Sequence, residues 1–316
     1  MKILAIQNKM GIGDTVIFLP FIKAISKKFC CPISLLAKES SKADQFLKET
    51  NYIDEIINLK NNENNDGIFG SLKLAKKLRE YNFEKVFIFN SSLRFNLVSK
   101  LAGIKQIYQY PLFKKKEQHI TGAAKELIKK NLNIEVNENP EIYISENLVK
   151  LSYEKLNMSK NELNILLGIG GSGATKRIPA KTFLKFMKKI SEIRKCKFFL
   201  ATGKNKDEQI ILKEIMNSDF KCRCIPLDNH TINETLPIIK NCKISVCNDT
   251  GFAHLSSALG VKTVTLMANT PMIYGSYSTN MYPIIPDGEQ IVTHNTLGKD
   301  KINPEKIFNK SMSILS

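Results

Sequence analysis

Short, near-continuous apolar runs alternate with helical patterns along this chain, and they do so twice over. In the first half the runs fall at 2–7, 32–37, 53–59 and 84–90, with helical patterns at 14–29, 40–49, 68–81 and 92–102. A run that is apolar at every position belongs to a strand covered on both faces, as in a parallel sheet. The second half repeats the pattern, with strands predicted at 163–169, 197–202, 222–226, 243–248 and 262–268. Its helices are predicted at 179–194, 206–217, 232–241 and 252–259, and 303–315 reads as a last helix with Pro304 at its first position. The polar run from Glu146 to Lys160 separates the halves. An α/β chain of two Rossmann-like domains, 1–155 and 156–316, facing across a cleft is expected, its last helix packing back on the first domain. The asparagine-rich patch 61–67 and the basic stretch 111–118 read as surface loops.

Length and charge agree with this picture. The 316 residues suffice for two buried cores, and no apolar run reaches the roughly 18 residues of a membrane span. The opening Met1-Lys2-Ile3-Leu4-Ala5-Ile6 is a strand without a signal peptide's long apolar core, which points to the cytoplasm. The net charge of +17 is shared: residues 1–160 carry 26 cations against 17 acids, and residues 161–316 carry 21 against 13. Such a surface is simply well solvated, or it attracts phosphates and the inner face of an anionic membrane. No Gly-aromatic or zinc-finger pattern accompanies the charge, so nucleic acid is not an expected partner. Seven cysteines form no C-x-x-C pair and read as reduced thiols, with no metal site expected.

Four strand-to-helix turns carry the chemistry. Met10-Gly11-Ile12-Gly13-Asp14-Thr15 follows the first strand; its glycines let a ligand approach the backbone. Asp14 there is either a helix cap or a carboxylate displayed as a general base. Val16 breaks the six-position glycine pattern of nicotinamide sites, and no cofactor is expected. Gly168 to Pro179 holds four glycines, the hydroxyls Ser172 and Thr175, and the cations Lys176 and Arg177, a composition suited to a phosphate. Ala201 to Glu208 ends a strand on Gly203 and opens a helix with Asp207 and Glu208. Cys247-Asn248-Asp249-Thr250-Gly251-Phe252-Ala253-His254 ends a strand on an acid, turns at Thr-Gly and starts a helix that Gly260 closes. Amides at such a helix start suit a diphosphate, and His254 can donate to it.

Three of these turns lie in the second half and can line one nucleotide pocket. Asp14 lies in the other half. That division suits transfer of a group from a nucleotide donor to an acceptor hydroxyl deprotonated by Asp14, with Lys176 stabilising the departing diphosphate. Asp-x-Asp, the magnesium clamp of many sugar-nucleotide enzymes, is absent from these loops, and cations and helix dipoles can stand in for a metal. A sugar-nucleotide epimerase or hydrolase, or a non-catalytic nucleotide- or glycan-binding module, is the competing reading.

These residues resemble the ADP-heptose lipopolysaccharide heptosyltransferases of glycosyltransferase family 9. The resemblance rests on Gly13-Asp14, on Ile53-Asp54-Glu55-Ile56-Ile57, on Thr175-Lys176-Arg177 with Pro179, and on Asp249-Thr250-Gly251 with His254, Ala258, Leu259 and Gly260. It implies a GT-B fold and an inverting, metal-independent transfer of heptose or a related sugar from an ADP-sugar. The acceptor implied is a lipopolysaccharide core or another anionic surface glycolipid, reached from the inner membrane surface. It carries over Asp14 and Lys176 as catalytic residues. It carries over Ser172, Thr175, Lys176, Glu208, His230, Asp249, Thr250, Gly251 and His254 as donor contacts, and Gly13, Ser92 and Arg94 as acceptor contacts. The sequence departs from the family at Ile178, where an aromatic is usual, at Phe252, and at Ala268-Asn269-Thr270-Pro271 in place of Gly-Pro-Thr.

Overall fold

The structure, a computed structural model, describes residues 1–60, 67–111, 121–137, 139–171 and 173–316. The chain forms two compact units, 1–143 and 144–316.

The first unit runs β1 (Ile3–Gln7), α1 (Ile12–Val16), α2 (Leu19–Phe29), β2 (Ile33–Lys38), α3 (Ala43–Phe46), β3 (Ile53–Leu59), α4 (Gly67–Glu80), β4 (Lys85–Ile88), α5 (Leu93–Leu101), β5 (Gln106–Gln109) and α6 (Gly122–Leu132). Its five strands are all parallel, in the order β3-β2-β1-β4-β5. Every residue of β1 is buried, as its unbroken apolar run requires of a strand covered on both faces. The helix predicted at 14–29 is two helices, and Pro20 stands in the first turn of the second, where its missing N–H costs nothing. The patch 61–67 lies outside the described residues except for Gly67, and 111–118 except for Pro111.

The second unit runs α7 (Glu146–Lys155), β6 (Leu163–Gly168), α8 (Ala180–Ile193), β7 (Cys196–Ala201), α9 (Lys206–Met216), β8 (Cys224–Pro226), α10 (Ile232–Lys240), β9 (Ile244–Asn248), α11 (Gly251–Ala258), β10 (Lys262–Leu266), β11 (Met281–Ile284) and α12 (Pro304–Leu315). Its six parallel strands take the order β11-β10-β9-β6-β7-β8. In chain sequence this is the doubly wound pattern: the chain moves outward from β6, then returns to its other side with β9. α8 buries Ala180, Phe183, Phe186, Met187 and Ile190, a helical spacing that lays one apolar face on the sheet. Gly260, at φ +79°, takes the left-handed position just past the end of α11 that glycine adopts at least cost.

One expectation changes here. The boundary falls at 143/144 rather than at 155/156. α7 belongs to the second unit because it packs on α10, where Asn241 Nδ2 donates to Val149 O at 2.8 Å and to Ser152 Oγ at 2.9 Å. The last helix packs on the second unit's own sheet. α12 lies on α8 and against β9, β10 and β11, with Ile307 buried and Lys189 paired to Glu305 at 2.5 Å. No helix among the described residues is long and apolar enough to cross a membrane.

Candidate active site

In a doubly wound sheet, ligands bind beyond the carboxyl ends of the two strands where the chain reverses its direction of travel. In the second unit those strands are β6 and β9. Asn248, the last residue of β9, is fully buried and donates to Ile169 O at 2.9 Å and Gly170 O at 3.0 Å. This one amide ties the loop after β6 to the end of β9.

Above it the charged side chains converge. Lys176 Nζ meets Asp249 Oδ2 at 2.7 Å, and His254 Nε2 lies 3.8 Å from Asp249 Oδ1, an ion-pair distance rather than a hydrogen bond. Burial alone would raise the Asp249 carboxyl; His254 and the Lys176 ammonium outweigh it and hold the group well below the usual carboxylate range. His254 Nδ1 is 2.7 Å from the Tyr277 hydroxyl, and the two rings stack at 5.6 Å. Burial and the Asp249 charge push the Tyr277 phenol well above its ordinary range, so it keeps its proton. The other ring nitrogen, Nε2, faces Asp249. Beside this cluster Thr250 takes the cap position of α11 without a side-chain capping bond, and its buried hydroxyl has no partner. In the first turn of α11 the Ala253 N–H donates to Thr250 O at 3.1 Å, and the amides of Gly251 and Phe252 stand ahead of the helical ladder.

A second cluster shapes the loop after β6. Glu208 is buried and accepts the Gly171 N–H at 2.6 Å, while its other oxygen takes a hydrogen bond from Asn205 Nδ2. A Cβ on Gly170 would stand 2.5 Å from Glu208 Oε1 and 3.1 Å from Thr202 Cα, so only glycine fits. Arg177 donates to Gly171 O at 3.2 Å and pairs with Asp207 at 2.6 Å, which makes this cation a brace for the loop. Thr175 Oγ1 accepts from Asn269 Nδ2 at 3.1 Å.

The predicted residues therefore separate. Lys176, Asp249, Thr250, Gly251 and His254 come together at the β6–β9 reversal. Thr175 and Glu208 hold the adjoining loop. His230 lies beyond β8, and its buried Nδ1 has no partner. Ser172 lies outside the described residues. A cavity of about 520 Å³ opens at the amino ends of β6, β9 and β10, among Lys160, Asn164, Lys243 and Lys262, at the opposite end of the strands from these groups.

In the first unit the chain reverses between β1 and β4. Gln7, the fully buried end of β1, donates to Asp14 O at 3.1 Å and accepts from Lys9 N at 3.0 Å, which fixes the turn. Asp14 is not the cap residue of α1: Gly11 is, and Asp14 reaches back three residues to accept the Gly11 N–H at 3.2 Å. Its carboxylate stays about 30% exposed, with Lys9 Nζ 4.0 Å away. Gly13 sits in the first turn of α1. Asn8 accepts from Asn90 Nδ2 at 3.0 Å across the reversal, and Asn90 Oδ1 accepts the Ser92 N–H at 2.9 Å. Ser92 caps α5 without a side-chain capping bond, and Arg94 Nε donates to Ser71 Oγ at 3.1 Å.

The model of glycosyltransferase family 9 (heptosyltransferase) matches residues 71–296, more than half of the chain. The chain belongs to glycosyltransferase family 9. As a family 9 glycosyltransferase it is 26% identical to lipopolysaccharide heptosyltransferase 1 of Campylobacter coli, over 95% of this chain and 93% of that one. Its fold matches E. coli ADP-heptose lps heptosyltransferase II with a TM-score of 0.78 at 19% identity, over 100% and 98% of the two chains. The family 9 glycosyl transferase of Veillonella parvula matches at a TM-score of 0.79 and 17% identity, over 99% and 97%. The expected GT-B fold is therefore the fold of this family 9 chain.

Sequence reading missed four residues that shape these turns: Gln7, Asn248, Asn269 and Tyr277. Gln7 and Asn248 carry a legible signal, a lone amide ending a strand that is buried throughout. Asn269 and Tyr277 carry none, since their partners are 94 and 23 residues away.

Proposed function

We propose that this enzyme transfers heptose, or a related sugar, from an ADP-sugar to a lipopolysaccharide core or another anionic surface glycolipid, working in the cytoplasm at the inner membrane face. The observation that carries the reading is the Lys176–Asp249–His254 cluster beside the unpartnered Thr250 hydroxyl and the start of α11. It is a preorganised anion site. The names of the relatives, which act on heptose and lipopolysaccharide, supply the substrate classes.

In this reaction the acceptor hydroxyl attacks the anomeric carbon while Asp14 takes its proton. The bond from that carbon to the diphosphate oxygen breaks, and the configuration inverts. Negative charge grows on the departing diphosphate, where Lys176, the Thr250 hydroxyl and the amides of Gly251 and Phe252 stabilise it. That countercharge makes transfer independent of a metal ion. His254 donates to the phosphate from Nε2, and Asp249 holds Lys176 and His254 in place until the donor arrives. Thr175, Ser172, Glu208 and His230 complete the donor side. Gly13, Ser92 and Arg94 meet the acceptor.

Thermal unfolding with ADP-, GDP- and UDP-sugars tests the donor. ADP-heptose should raise the Tm well above the others, by mass action on the folded state. Product analysis should then show transfer that persists in chelator. Equal shifts by all three nucleotides, or sugar released to water alone, would refute the reading.

A further inference from the structure

We propose that the outer faces of α4 and α5 form a docking surface for an anionic lipid bilayer. Fourteen large apolar side chains are exposed among the described residues, and six of them fall on these two helices: Ile68, Phe69, Leu72, Leu93, Leu97 and Leu101. Their exposure runs from 36% at Leu101 to 88% at Phe69. Single exposed apolar residues are ordinary; a group of six on neighbouring elements is not.

Helix geometry places them together. α4 buries Gly70, Ser71, Leu74, Ala75 and Leu78 against its own unit. At 100° per residue, Ile68 and Leu72 then lie one turn apart on one flank, with Phe69 beyond them. α5 buries Phe95, Val98 and Ser99, and Leu93, Leu97 and Leu101 follow one another at four-residue steps along an outward line. Two hydrogen bonds set the helices side by side and parallel: Arg94 Nε to Ser71 Oγ at 3.1 Å, and Arg79 Nη2 to Leu101 O at 2.5 Å. The exposed rows flank that seam.

The charge on the same helices selects the occupant. Lys73, Lys76, Lys77 and Arg79 of α4 and Arg94 and Lys100 of α5 stand against one acid, Glu80. Apolar side chains framed by lysine and arginine match the two layers of an anionic membrane surface, acyl chains beneath negative headgroups. A second copy of this chain would set cations against cations. Leu93 follows Ser92 directly, so a bilayer held here lies beside an acceptor contact; in this purpose the inference rests on the proposed glycolipid acceptor.

The test is flotation of the full chain, without substrates, on phosphatidylglycerol-rich vesicles and on pure phosphatidylcholine vesicles. Wild type should bind the anionic vesicles about tenfold or more tightly than the neutral ones. The double variant Phe69→Glu with Leu97→Glu should lose that binding about tenfold, keep the wild-type Tm, and keep full transfer to a lipid-free acceptor. Lys76→Glu with Lys77→Glu should remove the salt-sensitive part of the binding. Equal vesicle binding by wild type and the double variant would overturn the proposal, as would no binding by wild type. A wild-type dimer that Leu97→Glu dissolves would also overturn it, because the face would then be a self-interface. Vesicle binding without any sugar transfer would support this inference and refute the functional reading alone.

Discussion

The two units solve the same topological problem with opposite chemistry. Each reverses its chain direction between two central parallel strands, and each bridges that gap with an asparagine. In the second unit the bridge is the fully buried Asn248, and above it stands a chain of charged and polar groups, Lys176, Asp249, His254 and Tyr277. In the first unit the bridge is the half-buried Asn8–Asn90 pair, and one carboxylate, Asp14, stays partly in water with Lys9 Nζ 4.0 Å away. Under the proposed function the second unit's arrangement would hold a multiply charged anion, and the first unit's would leave a base accessible to a neutral hydroxyl. One sheet topology would then serve binding or reaction according to how deeply its end-of-strand residues are buried.

The largest effect should come from Asp14. Replacing it by Asn should lower transfer by roughly 10²–10⁴-fold, the range of a lost general base, while calorimetry shows donor affinity unchanged. A matching loss of donor affinity would erase the division of labour between the units. Lys176→Met should lower kcat/KM by about 10²-fold through lost charge stabilisation of the leaving group, with a weaker donor KM as well. An unchanged KM would remove the second unit's reversal from the donor site.

Stability should separate the two bridges. Asn248→Ala strands two buried carbonyls and should cost about 1–3 kcal/mol in denaturant unfolding, against about 0.5–1.5 kcal/mol for Asn90→Ala. Equal costs would mean that burial does not distinguish the reversals. The smallest effect is a pH dependence. The folded-state pKa of Asp249 is lowered, so its contribution to stability is complete above its unfolded pKa near 3.8 and is lost as pH falls below that value. The Tm difference between wild type and Asp249→Asn should therefore shift against wild type as pH falls from 6 to about 3. A difference that does not change with pH would show that Asp249 is not held as a charged partner of Lys176.

Much of the fold can be read along the chain because a parallel strand buried on both faces is apolar at nearly every position. β1 shows this plainly, as does the alternation that yields two sheets. β5, α6 and β11 are not legible in this way. β5 is only half buried, so Gln106–Gln109 lacks the apolar run, and α6 follows a stretch of lysines that masks its start. β11 carries Pro283 in an edge strand that pairs on one side only. The candidate site was legible where glycines stand with cations in one loop, as in 168–179, or with an acid and a histidine, as in 249–254. It was opaque wherever a partner came from a distant loop.

The sequence by itself determined that the chain is α/β, that it has two similar halves, and which strand-to-helix turns gather glycines, cations and hydroxyls, because burial pattern and turn composition are local. Only the tertiary structure decided which cation serves which purpose. Lys176 and Arg177 are neighbours of the same charge, yet one reaches Asp249 at the strand reversal and the other braces Gly171 and Asp207. It also decided that Asp14 closes the turn onto Gly11 rather than capping the helix, and that Tyr277 fixes the His254 ring. These outcomes depend on which loops the sheet order brings side by side, and a linear pattern of residue types holds no information on that distance.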